Sequence, residues 1–329
     1  MTPQLSVIIV SFNTAALTCQ TLASVFADIE ASNLAKKVDV WLVDNASTDD
    51  TLARVKKQFP HQPLTIISNK TNAGFAVANN LAIRQSQGDV VFLLNSDTVV
   101  QPGALIALIA AFAQPSQPAT AWQADTKRLD NVGIIATSLW NPDGTPQWQG
   151  GALPTLWTLT GHWLMFDDVP FLNAIIPSTQ HTGLNIQRVR QATTENPEQL
   201  LPMEWVGGTA MAIRRQVIDE IGLLDEQIFM YGEDMEFCLR AADHHWDVAL
   251  LPAAKITHYG SASSSSAHAI LGEIKGYVYI WAKHKPVWQS AIVRGILSIG
   301  CLQRMLVFTL TGNRQKVAIY HQALASVLR

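Results

Sequence analysis

An α/β fold on a mostly parallel sheet is the class this sequence predicts, and three observations predict it. Short β-branched runs recur at Leu5–Val10, Val38–Val43, Leu64–Ser68 and Val90–Leu94. Segments with helical apolar spacing separate them, and three of the runs lead into polar clusters at Asn13, Asp44 and Asp97. Strands alternating with helices in this way make βαβ units, whose parallel sheets are covered on both faces. The chain of 329 residues, 48% hydrophobic and 15% charged, carries enough apolar content for one large core or two smaller ones.

In chain order, Leu5–Val10 is the first strand, and Leu22, Val25, Phe26 and Ile29 follow at helical spacing. Val38–Val43 ends at Asp44-Asn45-Ala46-Ser47-Thr48-Asp49-Asp50, a turn-and-cap cluster ahead of a helix through Leu52 and Val55. Leu64–Ser68 is the third strand, with a helix over Ala76–Gln85 behind it; Val90–Leu94 is the fourth, followed by a helix over Gly103–Phe112. From Gln114 to Pro202 the pattern is irregular and reads as covering structure and a candidate acceptor lid, with Asp143-Gly144 favouring a hairpin. Trp205–Arg214 is strand-like, Val217, Ile218 and Ile221 are helical, a short helix runs from Glu233 to about Ala242, and Val248–Leu251 is a last strand before His258.

Residues 1–260 therefore form the catalytic or binding body, and residues 261–329 a separate helical tail after a Ser-rich linker at Ser261–Ala267. The tail holds eight Lys or Arg against Glu273 alone, so it carries +7 while the body carries −10. That asymmetry suits an anionic membrane surface and argues against nucleic acid as a partner, because the body would repel phosphates. Ile270, Ile274, Tyr277, Val278 and Trp281 form one helical stripe, and Val287–Leu310 is apolar nearly all round except for Arg294 and Arg304. Each arginine would cost about 3 kcal/mol at a bilayer centre, so the segment is expected to lie in the interface with its arginines snorkelling. The alternative is a helix packed on the body or against a second copy in a homodimer. Cys19, Cys238 and Cys301 lack metal or disulfide spacing and suit a reducing, cytoplasmic setting; the opening Met-Thr-Pro-Gln-Leu-Ser lacks a basic leader, so no signal peptide is expected.

Ligands of such sheets lie outside the carboxyl ends of the strands, where Asn13, Asp44 and Asp97 all fall. A buried strand-end carboxylate needs a cation or several donors. Asp97 fits Mg²⁺ or Mn²⁺ bridging a nucleotide diphosphate, since these ions take oxygen ligands and share their shell with substrate; the plainer reading is an N-cap. Asp44 could accept from a pyrimidine N3–H or a ribose hydroxyl, or cap the next helix. Glu233-Asp234 would be favoured by a helix dipole, which also makes a ready general base. His258 is structural unless a metal already sits at Asp97. The Gly-containing loop Asn72–Asn80 enters a helix and could turn N–H groups toward a phosphate. Neither GxGxxG after a strand nor GxxxxGK[ST] occurs, against dehydrogenase and P-loop readings, and no Gly-rich basic loop near the N-terminus supports nucleotidyl transfer.

Six segments together resemble the inverting family 2 glycosyltransferases, in the branch of the bacterial rhamnosyltransferases. They are Ser6-Val7-Ile8-Ile9-Val10-Ser11-Phe12-Asn13, Val43-Asp44-Asn45-Ala46-Ser47, Asn72-Ala73-Gly74-Phe75 with Asn79-Asn80, Leu94-Asn95-Ser96-Asp97, Gly207-Gly208-Thr209-Ala210, and Tyr231-Gly232-Glu233-Asp234 with Cys238-Leu239-Arg240. They stand in the family's order over residues 5–260. The resemblance implies the GT-A (nucleotide-diphospho-sugar transferase) fold and a nucleotide-sugar site at Ser11, Asn13, Asp44, Asn72, Gly74, Phe75, Asn79, Asn95 and Asp97. It implies Asp234 as catalytic base with Glu233 beside the acceptor, acceptor contacts at Trp205, Gly207, Gly208 and Thr209, and Mn²⁺ or Mg²⁺ held by Asp97 and His258. The family's common Asp-x-Asp is Asn95-Ser96-Asp97 here, leaving metal to Asp97 and making Asn95 a neutral hydrogen-bonding partner. Glu236 stands where an Asp is frequent. The branch suggests dTDP-rhamnose as donor, with UDP-hexoses, UDP-N-acetylhexosamines and UDP-galactofuranose as alternatives, and a cell-surface glycan or glycolipid acceptor at the inner face of the cell membrane. A non-catalytic sugar-nucleotide-binding protein would keep the fold without the chemistry.

Overall fold

The structure, a computed structural model, describes residues 3–113, 129, 131–167, 169, 176, 178–180, 186–260 and 266–328. Its described strands join in one mixed sheet in the order β3-β2-β1-β4-β8-β6-β9-β5, with β7 beside β9. The parallel half holds β1 (Leu5–Ser11), β2 (Val38–Asp44), β3 (Leu64–Ser68) and β4 (Val90–Asn95). Between them run α1 (Ala15–Ala31), α2 (Thr51–Gln58) and α3 (Phe75–Ile83). Side-chain alternation splits the core across the sheet: Ile8, Val91 and Leu93 pack on one face, and Val7, Ile9, Phe92 and Leu94 on the other. Strands buried on both faces read as continuous apolar runs, which is why β1, β2 and β4 were visible in the sequence; β3, at the sheet edge, is only partly buried. β5 (Thr98–Val100) and α4 (Ala104–Ala113) follow.

The second half departs from the sequence reading in three places. The irregular middle contains a buried nine-residue strand, β6 (Val132–Trp140), and two helices, α5 (Leu156–Trp163) and α6 (Ile186–Glu195). Gly133 weakens the strand signal of β6, yet it is required there: a Cβ would lie 2.5 Å from Val217 Cγ2 and 2.8 Å from the Trp246 ring. After β7 (Leu201–Met203), the strand expected from Trp205 begins only at Ala210, as β8 (Ala210–Arg214), because Gly207–Thr209 turn out toward the crevice. β8 is antiparallel to β4 and β6. α7 (Arg215–Ile221) and α8 (Glu233–Asp243) come next.

The last strand, β9 (Asp247–His258), is longer than expected. Pro252 lacks an N–H and would end an ordinary ladder. Here the pairing with β6 jumps from Thr137↔Leu251 to Ser138↔Lys255, and the Ser138 hydroxyl donates to the Pro252 and Ala254 carbonyls across the bulge, at 3.0 and 3.3 Å. The strand thus continues to His258.

Of the expected Ser-rich linker, residues 261–265 lie outside the described residues. The tail is α9 (Ser266–His284), α10 (Val287–Leu310) and α11 (Arg314–Val327). Ile274, Tyr277, Trp281, Val293, Leu297, Ala323 and Val327 are buried in the same core as Ile8 and Val91. The arginines of α10 do not snorkel outward. Arg304 donates to the Trp163 and His162 carbonyls, at 2.6 and 3.2 Å, and lies over the Trp163 ring, while Arg294 donates to the Val327 carbonyl. Inward carbonyls outcompete solvent because each arginine caps the last carbonyls of a helix at a buried end, α5 and α11 respectively.

Candidate active site

β1, β2 and β4 end close together: Ser11 is paired with Asp44, and Asn95 with the preceding residue, Val10. Asp44 is buried; its Oδ2 accepts from Ser47 N at 3.3 Å, while its Oδ1 is buried with no partner. A buried acceptor without a donor is costly, and a ligand N–H or O–H would satisfy it. Asn45 clamps the neighbouring loop: its Nδ2 donates to Asn72 Oδ1 (2.8 Å) and Gly74 O (3.2 Å), and its Oδ1 accepts from Asn69 Nδ2 and Ala73 N. Gly74 has φ +88°, and a Cβ there would come within 2.4 Å of the Phe229 carbonyl. Only glycine fits both demands.

Several sequence candidates are hydrogen-bonded within the fold around this surface. Asn13 sits at φ +54° and its Oδ1 accepts from Thr48 N at 2.7 Å, tying the end of β1 to the loop after β2. The Ser11 hydroxyl is fully buried, with Thr14 and Thr18 as partners, and Thr14 continues to Ser96 at 3.0 Å. Asn79 is buried and donates to Phe75 O, and the Trp205 indole donates to Thr179 O from inside the core.

Asp97 meets His258 because β5 and β9 pair antiparallel with Thr98 opposite His258. The imidazole Nε2 lies 3.4 Å from Asp97 Oδ1, and Tyr259 N donates to Asp97 O. The register explains how residues 161 positions apart reach one point; the bulge at Pro252 delivers it. No group of three His, Cys, Asp or Glu placed to hold a metal ion is present among the described residues. One carboxylate oxygen and one imidazole nitrogen nevertheless fit a Mn²⁺ or Mg²⁺ ion whose remaining positions go to phosphate oxygens and water.

Across the crevice, the Gly207–Thr209 turn links the two chemical centres. Gly208 N donates to Asp234 Oδ2 at 2.9 Å, and Asn95 N donates to Thr209 O at 2.9 Å. A Cβ at Gly208 would lie 3.0 Å from the Phe75 ring, so Phe75 also backs this turn. Asp234 and Glu233 open α8 after Tyr231 (φ +70°) and Gly232 (φ +113°). Burial raises the Asp234 carboxyl above its ordinary value, against the N–H bonds of Gly208 and Met235 that favour the anion. Burial and then the Asp234 charge push Glu233 well up, and its Oε2 is buried without a partner. A carboxylate poised above its usual range at a helix N-terminus is suited to taking a proton.

With that geometry in hand, comparison with known proteins decides the family: the model of Glycosyl transferase family 2 matches residues 6–163. Residues 6–163 belong to glycosyl transferase family 2. This glycosyltransferase is 24% identical over 281 residues to the N-acetylglucosaminyl-diphospho-decaprenol L-rhamnosyltransferase of Mycobacterium tuberculosis, covering 80% of this chain and 82% of the relative. Its fold is similar to that of the mannosyltransferase PcManGT from Pyrobaculum calidifontis in complex with GDP-Man and Mn²⁺, with TM-score 0.53 and 16% identity over the whole of this chain and 76% of that one. It is also similar to GalNAc-T7 with UDP, GalNAc and Mn²⁺, with TM-score 0.58 and 16% identity over 85% of this chain and 48% of that one. The GT-A fold and a rhamnosyltransferase-like place in the family follow.

Sequence reading missed two parts of the glycosyltransferase's site. Asn45, passed over as a cap, is the hub of the Asn72–Gly74 loop. Glu236, from which nothing was drawn, is fully buried and bonded to Arg240, Lys283 and His284 at 2.8 to 3.0 Å. It fastens helix α8, which carries Asp234, to the tail, and its i,i+4 spacing to Arg240 was the available signal.

Proposed function

We propose that the protein is an inverting, metal-dependent transferase that moves rhamnose from dTDP-rhamnose to a hydroxyl of a glycan carried on a polyprenyl diphosphate lipid. The observation that carries the reading is the single turn, Gly207–Thr209, that joins the proton acceptor Asp234 to the Asn95–Asp97 strand end. Support for the sugar and the lipid-linked acceptor comes from the activity named for the mycobacterial relative. The orphaned Oδ1 of Asp44 would accept the N3–H of a thymine or uracil, and Asn95 would bond the donor. Asp97 and His258 would hold the metal ion, which when bound offsets charge on the leaving diphosphate. Asp234 would take the proton from the acceptor hydroxyl as that oxygen attacks the anomeric carbon from the face opposite the leaving group, so configuration inverts. Glu233, buried beside Asp234, would shape the acceptor side. The acceptor's lipid is consistent with a membrane-surface location on the cytoplasmic side, supported by the outer face of α10. There Trp288, Ile292, Ile299, Leu302, Leu306 and Leu310 are exposed at spacings of three, four and seven residues. Lys285 precedes this helix, Arg314 and Lys316 follow it, and a second copy of the +7 tail would be repelled where anionic lipid is attracted.

A donor panel read by calorimetry with Mn²⁺ tests the reading. dTDP-rhamnose is expected to bind tightest among dTDP-rhamnose, UDP-glucose, UDP-N-acetylglucosamine and UDP-galactofuranose, with Asp44→Ala weakening it by about ten- to a hundredfold. Equal binding by the Asp44 variant, or preference for a UDP-sugar, would contradict the donor assignment.

A further inference from the structure

The hairpin tip after β6 contains a chain of side-chain hydrogen bonds whose direction is fixed from one end. Asp143 Oδ1 is carboxylate and only accepts, so the Thr145 hydroxyl donates to it at 2.6 Å. Thr145 Oγ1 then accepts from Asn141 Nδ2 at 2.9 Å. That turns Asn141 Oδ1 toward Gln147, whose Nε2 donates to it at 2.5 Å and also to the main-chain carbonyl of His258 at 2.7 Å. With both amide hydrogens spent, Gln147 presents Oε1 to His258 Nδ1 at 2.9 Å. A carbonyl oxygen cannot donate, so Nδ1 must carry the proton. Flipping the Gln147 amide would set its oxygen against the Asn141 and His258 oxygens at hydrogen-bond distance, two repulsive contacts in place of two bonds.

We infer that Gln147 is a positioning residue that holds His258 as the Nδ1–H tautomer, with the bare Nε2 aimed at Asp97. The inference rests on reading Asp97 and His258 as the cation-binding pair. In that tautomer the Nε2 lone pair faces Asp97 Oδ1 at 3.4 Å, an arrangement that favours a cation between them. The hairpin is anchored independently of His258: Gln147 N donates to Leu139 O, Asn141 N to Thr145 O, and Gly144 turns at φ +81°. The tautomer is therefore imposed by β6 and its hairpin, on the opposite side of the imidazole from Asp97.

Long-range ¹H–¹⁵N NMR of histidine-labelled protein at about pH 8, with the His258 signals identified by their loss in His258→Asn, reads the tautomer directly. In the wild type Nδ1 is expected to carry the proton. Gln147→Leu shifts the population to Nε2–H. Free Mn²⁺ counted by electron paramagnetic resonance in the presence of dTDP is expected to show affinity about ten- to a hundredfold weaker in Gln147→Leu. An Nε2–H wild type, or a tautomer unchanged by Gln147→Leu in a protein whose melting shows it folded, would overturn the inference. The expected tautomers without Mn²⁺ binding in the wild type would leave the Gln147 assignment standing and remove the metal reading instead.

Discussion

The two sides of the crevice are built in different ways. The donor side, at the ends of β1, β2 and β4, is held by its own loops: Asn13 to Thr48, Asn45 to Asn72 and Gly74, Thr14 to Ser96. The base side is held from outside the family-matched segment, by the C-terminal helices. Gly272 and Gly276 of α9 let Met230-Tyr231-Gly232 lie against the helix; a Cβ at Gly276 would sit 2.5 Å from Tyr231 O, and one at Gly272 2.8 Å from Met230 O. Buried Glu236 gathers Lys283 and His284 from α9, and Lys283 also pairs with Asp225 at 2.6 Å. The strand-end side is thus held mainly by its own loops, while Asp234 depends on the tail.

The contrast breaks most sharply at Gly276. Gly276→Val must push α9 off the Tyr231 carbonyl, and kcat is expected to fall about a hundredfold or more, the scale of a misplaced reacting group. Donor affinity should stay within about threefold, so a parallel loss of both in steady-state kinetics and calorimetry would show that the two sides are not separable.

A second probe is pH. Burial alone would lower the His162 imidazole, but hydrogen bonds to Asp167 (3.0 Å) and Glu273 (3.3 Å) overcome it and bring its pKa to about 9. A raised pKa means the folded state binds the proton more tightly than the unfolded chain, whose histidine titrates near 6.5. The contribution is therefore complete below about pH 6.5 and lost as pH rises through about 9. Urea midpoints should drop over that window in the wild type and be flatter in His162→Gln, which marks α5-to-α9 docking as the pH-sensitive joint.

The smallest effect is expected at Glu233. Burial raises its carboxyl, so the folded state disfavours its charge, and the penalty grows as pH climbs past the unfolded value near 4.3. Glu233→Gln should raise Tm by about 2–4 °C at pH 7, with the gain shrinking toward pH 4. A gain independent of pH would assign it to packing instead.

The self-supporting side is also the side that could be read from the sequence. β1 to β4, Asp44 and Asp97 depend on neighbours in sequence and on strand ends, which apolar runs and turn chemistry reveal. β6 was hidden by Gly133, whose reason is the distant Trp246, and β9 by a bulge at Pro252 that only Ser138 explains. Asp234 was recognised from its motif, but its support by Gly276 and Glu236 is long-range and leaves no local pattern. The α10 arginines were placed outward because their partners, the ends of α5 and α11, lie 141 and 33 residues away.

The central claim is that Asp234 is the base and acts separately from donor binding. It is tested by Asp234→Asn, which preserves shape and the Gly208 contact while removing the proton acceptor. Transfer from dTDP-rhamnose to N-acetylglucosaminyl-diphospho-polyprenol is predicted to fall about a thousandfold, with donor Kd within about threefold of wild type. Transfer within tenfold of wild type would contradict it.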